Sequence, residues 1–283
     1  MKKEELVKSI LGEEAQIVRP ILGGMMNDSY LIKCKDKEYI LYIATAQANE
    51  MVNRKEELNH LMMVYELGIT SRNIYFDVTS GIKINEFISG NSINNINEFD
   101  FNKVATLLRK LHTSGLKSNL DYLPFERFAG FEKEALEFTS LDETYQRLKN
   151  EVFSKKDYLA SRPMALCHNG FQRSNIVRSN DDKYYVIDFE FMANNDPIYD
   201  IACFGNNDVK EGYALLKAYY KDQLDQEKED RYYLWRMFVS LQWYVVALIK
   251  HYRGEGATHQ MDFMMVANHF MNNALEAEKG LKW

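Results

Sequence analysis

Hydrophobic and polar positions along the chain alternate between short runs rich in β-formers and longer runs with a period of three to four residues. Tyr30-Leu31-Ile32-Lys33-Cys34 and Glu38-Tyr39-Ile40-Leu41-Tyr42-Ile43 flank the polar Lys35-Asp36-Lys37, which predicts an antiparallel hairpin. Just before it, Leu22-Gly23-Gly24-Met25-Met26-Asn27 reads as a glycine-bearing turn. From Asn49 the period lengthens: Leu58, Leu61, Met62 and Tyr65 share one face of a predicted helix, and Gly68 is placed as its C-terminal cap. Ile74-Tyr75-Phe76-Asp77-Val78 and Ile82-Lys83-Ile84-Asn85-Glu86-Phe87-Ile88 predict two more strands around Thr79-Ser80-Gly81.

After Ser89-Gly90 an Asn-rich polar connector runs from Asn91 to Asn97, and helical spacing resumes with Val104, Leu107, Leu108 and Leu111. A boundary is therefore expected near residue 90, dividing a nucleotide-binding lobe, 1–90, from a catalytic and substrate lobe, 91–283. The second part reads as helical except for a hairpin, Asn175-Ile176-Val177-Arg178 and Lys183 to Asp188 around Ser179-Asn180-Asp181-Asp182. A small β-rich lobe with one helix, a polar hinge and a larger helical lobe with a hairpin is the outline of an α+β, bilobal, protein-kinase-like fold.

Composition narrows the function classes. With 46% hydrophobic and 27% charged residues, 283 residues suit one large or two medium globular domains. Lys and Arg number 35 against 41 Asp and Glu, so the net charge of −6 argues against nucleic acid as the main partner. The three cysteines, Cys34, Cys167 and Cys203, have no metal-ligand spacing, and a reducing, cytoplasmic setting is expected. The most apolar segment, Met237 to Ile249, is about thirteen residues long, too short to span a bilayer, and predicts a buried helix. Aromatics make up 13% of the chain, enough to furnish both a core and a pocket for a cation.

Phosphoryl transfer needs a divalent metal held by hard oxygen ligands and a group that orients the attacking hydroxyl. Asn175 stands just before the first strand of the second hairpin and Asp188 at the end of the second, so closing the hairpin brings an amide oxygen and a carboxylate together. Those two residues are the candidate Mg²⁺ ligands.

With these residues in place, the chain resembles the choline/ethanolamine kinases and their aminoglycoside phosphotransferase relatives, especially bacterial choline kinases that supply phosphocholine for surface decoration. The resemblance runs through Gly23-Gly24-Met25-Met26-Asn27 with Tyr30, Arg54 with Glu57, Gly81 to Ile88, His168 to Asn175, Ile187-Asp188-Phe189-Glu190, and Asn195-Asp196-Pro197 with Asp200. It implies ATP and Mg²⁺ as cofactors and choline or a related small amino alcohol as substrate. It also implies that Gly23, Gly24 and Asn27 cover the phosphates, that Glu86 to Ile88 offer backbone groups to adenine, and that His168 braces the catalytic loop. Glu190 becomes a candidate on the metal and substrate side, with a turn cap as its alternative role.

The departures from the family pattern are as informative. The catalytic Asp of the family's His-x-Asp falls on Gly170, and the strand Lys or Arg that touches ATP phosphates and pairs with a helix glutamate falls on Tyr42. Glu57 is then expected to lack its partner, with Lys33 and Lys35 as candidate replacements. A family glutamate facing the substrate's ammonium aligns with Asn207, and of a late aromatic pair Trp243 is kept while Val246 replaces the second ring. Two functions follow: an impaired choline kinase-like phosphotransferase, or a pseudokinase that binds nucleotide or a cationic metabolite and acts through a partner. Oligomeric state is left open.

Overall fold

The structure, a computed structural model, describes residues 2–21, 27–256 and 261–282, except for the side chain of Gln47. The Gly23-Gly24 turn expected to cover phosphates lies outside the described residues. Contacts divide the chain into two units. Residues up to Phe99 join Ser174–Met192 in the first, and Asp100–Arg173 join the residues from Ala193 onward in the second.

In the first unit, helix α1 (Lys3–Leu11) leads into strands β1 (Gln16–Ile21), β2 (Asn27–Cys34) and β3 (Lys37–Ala44), followed by helices α2 (Ala46–Met51) and α3 (Arg54–Glu66) and strands β4 (Asn73–Phe76) and β5 (Lys83–Glu86). The five strands form an antiparallel sheet in the order β1-β2-β3-β5-β4. Leu6 and Val7 of α1 are buried with Ile32, Leu41 and Ile84 of the sheet, the apolar burial that holds a small sheet together. The β2–β3 and β4–β5 pairs are the hairpins expected from the sequence. The α1–β1 segment was not: α1 buries only Leu6 and Val7, and β1 is a mostly exposed edge strand that carries Pro20.

Helix α3 forms where its spacing predicts, with Asn53 accepting the Glu56 N–H at its start and Gly68, at a φ of +64°, just past its end. Its buried face is displaced from the expected one. Met62 and Tyr65 are exposed, while Arg54, Glu57, His60, Leu61 and Val64 point inward. Charged residues can occupy that face because each finds an opposite charge there, a condition that apolar periodicity cannot register.

The Asn-rich connector is also more ordered than a linker. Strand β6 (Gly90–Ser92) pairs with β8 (Ile176–Ser179), which pairs with β9 (Tyr184–Val186), the second hairpin foreseen in the sequence. A Cβ at Gly90 would stand 2.2 Å from the Arg178 carbonyl oxygen, so only glycine allows this approach. The pairing is why contacts place residues 91–99 and Ser174–Met192 with the N-terminal sheet, whereas the sequence boundary was drawn near 90.

The second unit comprises helices α4 (Phe101–His112), α5 (Pro124–Ala135), α6 (Glu143–Phe153) and α7 (Lys156–Ala160), strands β7 (Ala165–Cys167) and β10 (Ala193–Asn195), and helices α8 (Pro197–Phe204), α9 (Val209–Tyr220), α10 (Gln226–Tyr252) and α11 (Phe263–Glu278). The apolar segment 237–249 lies within α10, and no described helix is long and apolar enough to cross a membrane. Much of the aromatic content is core: Phe125 and Trp235 lie 4.9 and 5.4 Å from Phe238, centroid to centroid. All three cysteines are free and buried.

Candidate functional site

Strand register places Tyr42 of β3 directly opposite Lys83 of β5. The Lys83 ammonium stands 5.1 Å from the centre of the Tyr42 ring. It pairs with Glu57 of α3 and lies 3.4 Å from Glu190 Oε1. Arg54, one turn before Glu57, completes the cluster, donating from Nη1 to Glu57 Oε2 at 2.6 Å and to Glu190 Oε1 at 3.1 Å. Arg54 can run inward because Gly81 leaves room: a Cβ there would sit 2.7 Å from its Nε. All four charged residues are buried, none more than 7% exposed.

The expectation that Tyr42 leaves Glu57 without a cation is therefore overturned. Glu57 has two, Lys83 and Arg54, and the candidates Lys33 and Lys35 remain exposed on their hairpin. Sequence reasoning missed Lys83. The available signal was a lysine inside the apolar run Ile82-Lys83-Ile84, on the strand that a β3–β5 pairing would set against Tyr42.

The base of the β8–β9 hairpin carries the expected oxygen-bearing residues, Asn175 and Asp188. Ile187 donates its N–H to the Asn175 carbonyl at 2.9 Å, which brings the Asn175 backbone next to the segment leading to Asp188. Asp188 has a φ of +70°, a left-handed conformation that costs a non-glycine residue about 1–2 kcal/mol and concentrates at functional positions. Desolvation by the surrounding protein and then the charge of Glu190 raise its carboxyl to about 7, with Lys83 opposing. Because Asp188 is exposed, the nearby carboxylate is the more durable cause. Glu190 behaves differently. Burial acts upward on it, but Lys83, a 2.7 Å hydrogen bond from Asn27 Nδ2, and Arg54 together hold it below its ordinary value.

Burial alone would lower Lys83, yet Glu57, Glu190 and Asp188 keep it above its usual value and charged. Burial lifts the Tyr42 hydroxyl to about 12, so it stays neutral beside the ammonium. Within this cluster, among the described residues, two buried acceptors, Glu190 Oε2 and Asn27 Oδ1, and one donor, Arg54 Nη2, have no hydrogen-bond partner. The unpartnered oxygens of Glu190 and of Asn27, which donates to Glu190, together with the Asp188 carboxyl that feels the charge of Glu190, form a donor set that suits a hard divalent cation.

A cavity in the same unit is lined by Tyr42, Lys83, Asp188 and the edge Glu86-Phe87-Ile88. Along that edge the N–H groups of Glu86 and Phe87 are taken by the carbonyls of Arg72 at 2.9 Å and Glu38 at 3.0 Å. Ile88 is the next N–H along the edge.

In the second unit, Asp200 of α8 accepts the backbone N–H groups of His168 at 2.8 Å and Asn169 at 2.6 Å, and His112 Nε2 lies 3.0 Å from it. His168 is buried, and its Nδ1 accepts the Gly170 N–H at 3.2 Å, so the histidine shapes the loop. Gly170 has no conformational need to be glycine. A Cβ there would meet only the His168 ring, at 3.6 and 3.7 Å, an ordinary contact. Farther along, α11 touches the surroundings of both substrate-side candidates. Its His269 Nε2 lies 2.9 Å from the carbonyl of Asn206, the neighbour of Asn207, and its Phe270 ring stacks on Trp243 at 6.0 Å. Asn207 is exposed and Trp243 half-buried.

A family model described as choline/ethanolamine kinase matches residues 18–233. Among solved structures, the choline kinase LicA from Streptococcus pneumoniae superposes with a TM-score of 0.75 at 26% identity, covering 98% of this chain and 96% of that one. A LicA structure in complex with AMP gives 0.74 at 26% identity, with coverage of 98% and 96%. Protein LicA of Haemophilus influenzae is 24% identical over 192 residues, 64% of this chain but only 55% of that protein, so the match spans little more than half of the relative's length. The kinase-like α+β fold, a β-rich N-terminal region followed by mostly helical structure, is the one the sequence predicts. With the family model matching well over half its length, this chain belongs to the choline/ethanolamine kinase family.

Proposed function

We propose that the chain is an ATP-dependent phosphotransferase that phosphorylates the hydroxyl of choline or a related small amino alcohol. The observation that carries this reading is the joining, in one unit, of the Lys83–Glu57–Arg54–Glu190 cluster, the unpartnered oxygens of Glu190 and Asn27, and the cavity edge Glu86 to Ile88. Neighbouring LicA structures include one that carries AMP, which supports a nucleotide at this cavity.

Each residue then has a physical task. Backbone groups at Glu86 and Ile88 face adenine, and Asn27 lies toward the phosphates. Asn175 and Asp188, with Glu190, would hold Mg²⁺, which would neutralise charge on the transferred phosphoryl group. Asp200 fixes the backbone of the loop from His168 to Gly170, and this positioning accounts for much of the catalysis in phosphoryl transfer. The loop has no carboxylate at Gly170 to orient the acceptor hydroxyl, so turnover is expected to be slow by about 10²–10⁴, the usual contribution of a general base. On the substrate side Trp243 offers a cation–π face, and Asn207 supplies no charge for an ammonium. In this reading the 1–90 part, joined by residues 91–99 and Ser174–Met192, takes the nucleotide and metal, and the rest of 91–283 takes the acceptor.

ADP release measured with choline, ethanolamine and related alcohols tests the proposal. An acceptor-dependent rate is expected, and a rate equal to the acceptor-free control for every alcohol would count against it. Gly170 favours a second reading, a nucleotide-binding pseudokinase, and that reading predicts MgATP binding with no acceptor-dependent rate.

A further inference from the structure

We propose that Lys83, delivered from β5, performs the phosphate-facing role that the family gives to a basic residue at the position of Tyr42 on β3. The inference rests on the nucleotide-binding reading above and adds a residue to it.

Tyr42 and Lys83 are cross-strand partners, so a cation moved from one to the other stays at the same level of the sheet and on the same side. Lys83 reaches Glu57, the helix glutamate that the basic residue would pair with, and also approaches Glu190. An ammonium has three N–H donors. Two are directed to these carboxylates, and one is left for a ligand in the cavity that Lys83 lines together with Tyr42 and Asp188.

Charge balance points the same way. Arg54 and Lys83 pair with Glu57 and Glu190, two positive charges against two negative ones. Without Lys83 one cation faces two carboxylates, and the cavity loses the positive charge that would meet a phosphate. Arg54 keeps one unpartnered donor, Nη2, but it does not line the cavity, whereas Lys83 does. The Tyr42 ring packs beside the ammonium, which stands 5.1 Å from its centre.

Calorimetric titration of the full chain with MgATP, MgADP and adenosine separates a phosphate contact from a purely structural ion pair. Lys83→Met is expected to weaken MgATP and MgADP by roughly 10- to 10²-fold, the scale of one hydrogen bond to a charged group, while adenosine affinity changes less than about threefold, since stacking and backbone contacts remain. Exchanging the pair, Tyr42→Lys with Lys83→Tyr, is expected to restore MgATP affinity to within about tenfold of the parent, because the cation returns to the same place. Unchanged MgATP binding by Lys83→Met would overturn the proposal. Equal loss of MgATP and adenosine that the exchange does not repair would do the same. If Lys83→Met fails to fold, the exchange variant decides: retained adenosine binding with MgATP lost would overturn the role. Absence of any nucleotide binding by the parent would instead refute the proposed function, and the role of Lys83 with it.

Discussion

Glu57 lies at the first turn of α3 between two cations, Lys83 on one carboxylate oxygen and Arg54 on the other. The carboxylate is fully desolvated, with 1% of the residue exposed, and this arrangement fixes the helix against the sheet as well as the charge inside the cavity. Removing one member of such a cluster leaves an uncompensated buried charge, which costs far more than a surface pair is worth.

Glu57→Ala is expected to destabilise the fold by about 3–5 kcal/mol, because Lys83 and Arg54 would then share only Glu190 and Asp188. Glu278→Ala, which breaks an ion pair with the largely exposed Arg147, should cost no more than about 1 kcal/mol. Urea unfolding of the two variants beside the parent checks the contrast. Equal effects would contradict it.

Asp188 gives the stability a pH signature. Its folded-state carboxyl is raised to about 7 from an ordinary value of 3.8, so between those values the folded chain holds a proton that the unfolded chain has released. Stability then falls as pH rises from about 4 to about 7 and is flat in this respect outside that window. Comparing metal-free parent with Asp188→Asn isolates the effect from other groups: the parent should lose more stability over the window. Adding Mg²⁺ should stabilise the parent more at pH 8 than at pH 5, since the cation and the proton compete for the same carboxylate.

Gly170→Asp should fold as the parent does, because the added Cβ meets only the His168 ring at 3.6 and 3.7 Å. With an acceptor for the hydroxyl proton restored, kcat toward choline is expected to rise by about 10²–10⁴. Steady-state kinetics and a thermal melt on the same preparation test both halves. A variant that folds normally and gains nothing would place the limiting defect elsewhere, with Asn207 the first residue to change.

Asp200 is completely buried and holds two backbone N–H groups and His112 at once. Asp200→Ala leaves those donors unpartnered and should cost about 3 kcal/mol or more. Asp200→Asn keeps one acceptor oxygen and should cost less. Chemical denaturation ranks the two, and the reverse order would contradict the assignment of Asp200 as the support of the His168–Gly170 loop.

The order of hairpins and helices was legible because each rests on local pattern: alternating β-formers around Lys35-Asp36, the cap at Gly68, and the second hairpin ending at Asp188. The inward face of α3 was not, because Arg54 and Glu57 are buried by mutual compensation and apolar spacing points instead to Met62 and Tyr65, which are exposed. The pairing of β6 with β8 was hidden for a related reason, since it joins residues far apart in sequence through backbone groups that polar side chains do not reveal. The same limit hid Lys83. Comparing aligned positions registers a lost cation at Tyr42, whereas only strand register shows that the opposite strand supplies one.

The most direct measurement is ³¹P NMR of the purified chain with ATP, Mg²⁺ and choline, followed over hours to allow for slow turnover. A phosphomonoester signal that grows in step with ADP, and only when choline is present, is the predicted result. ATP that stays intact, or is hydrolysed at the same rate without choline, would contradict the account of the chain as a phosphotransferase.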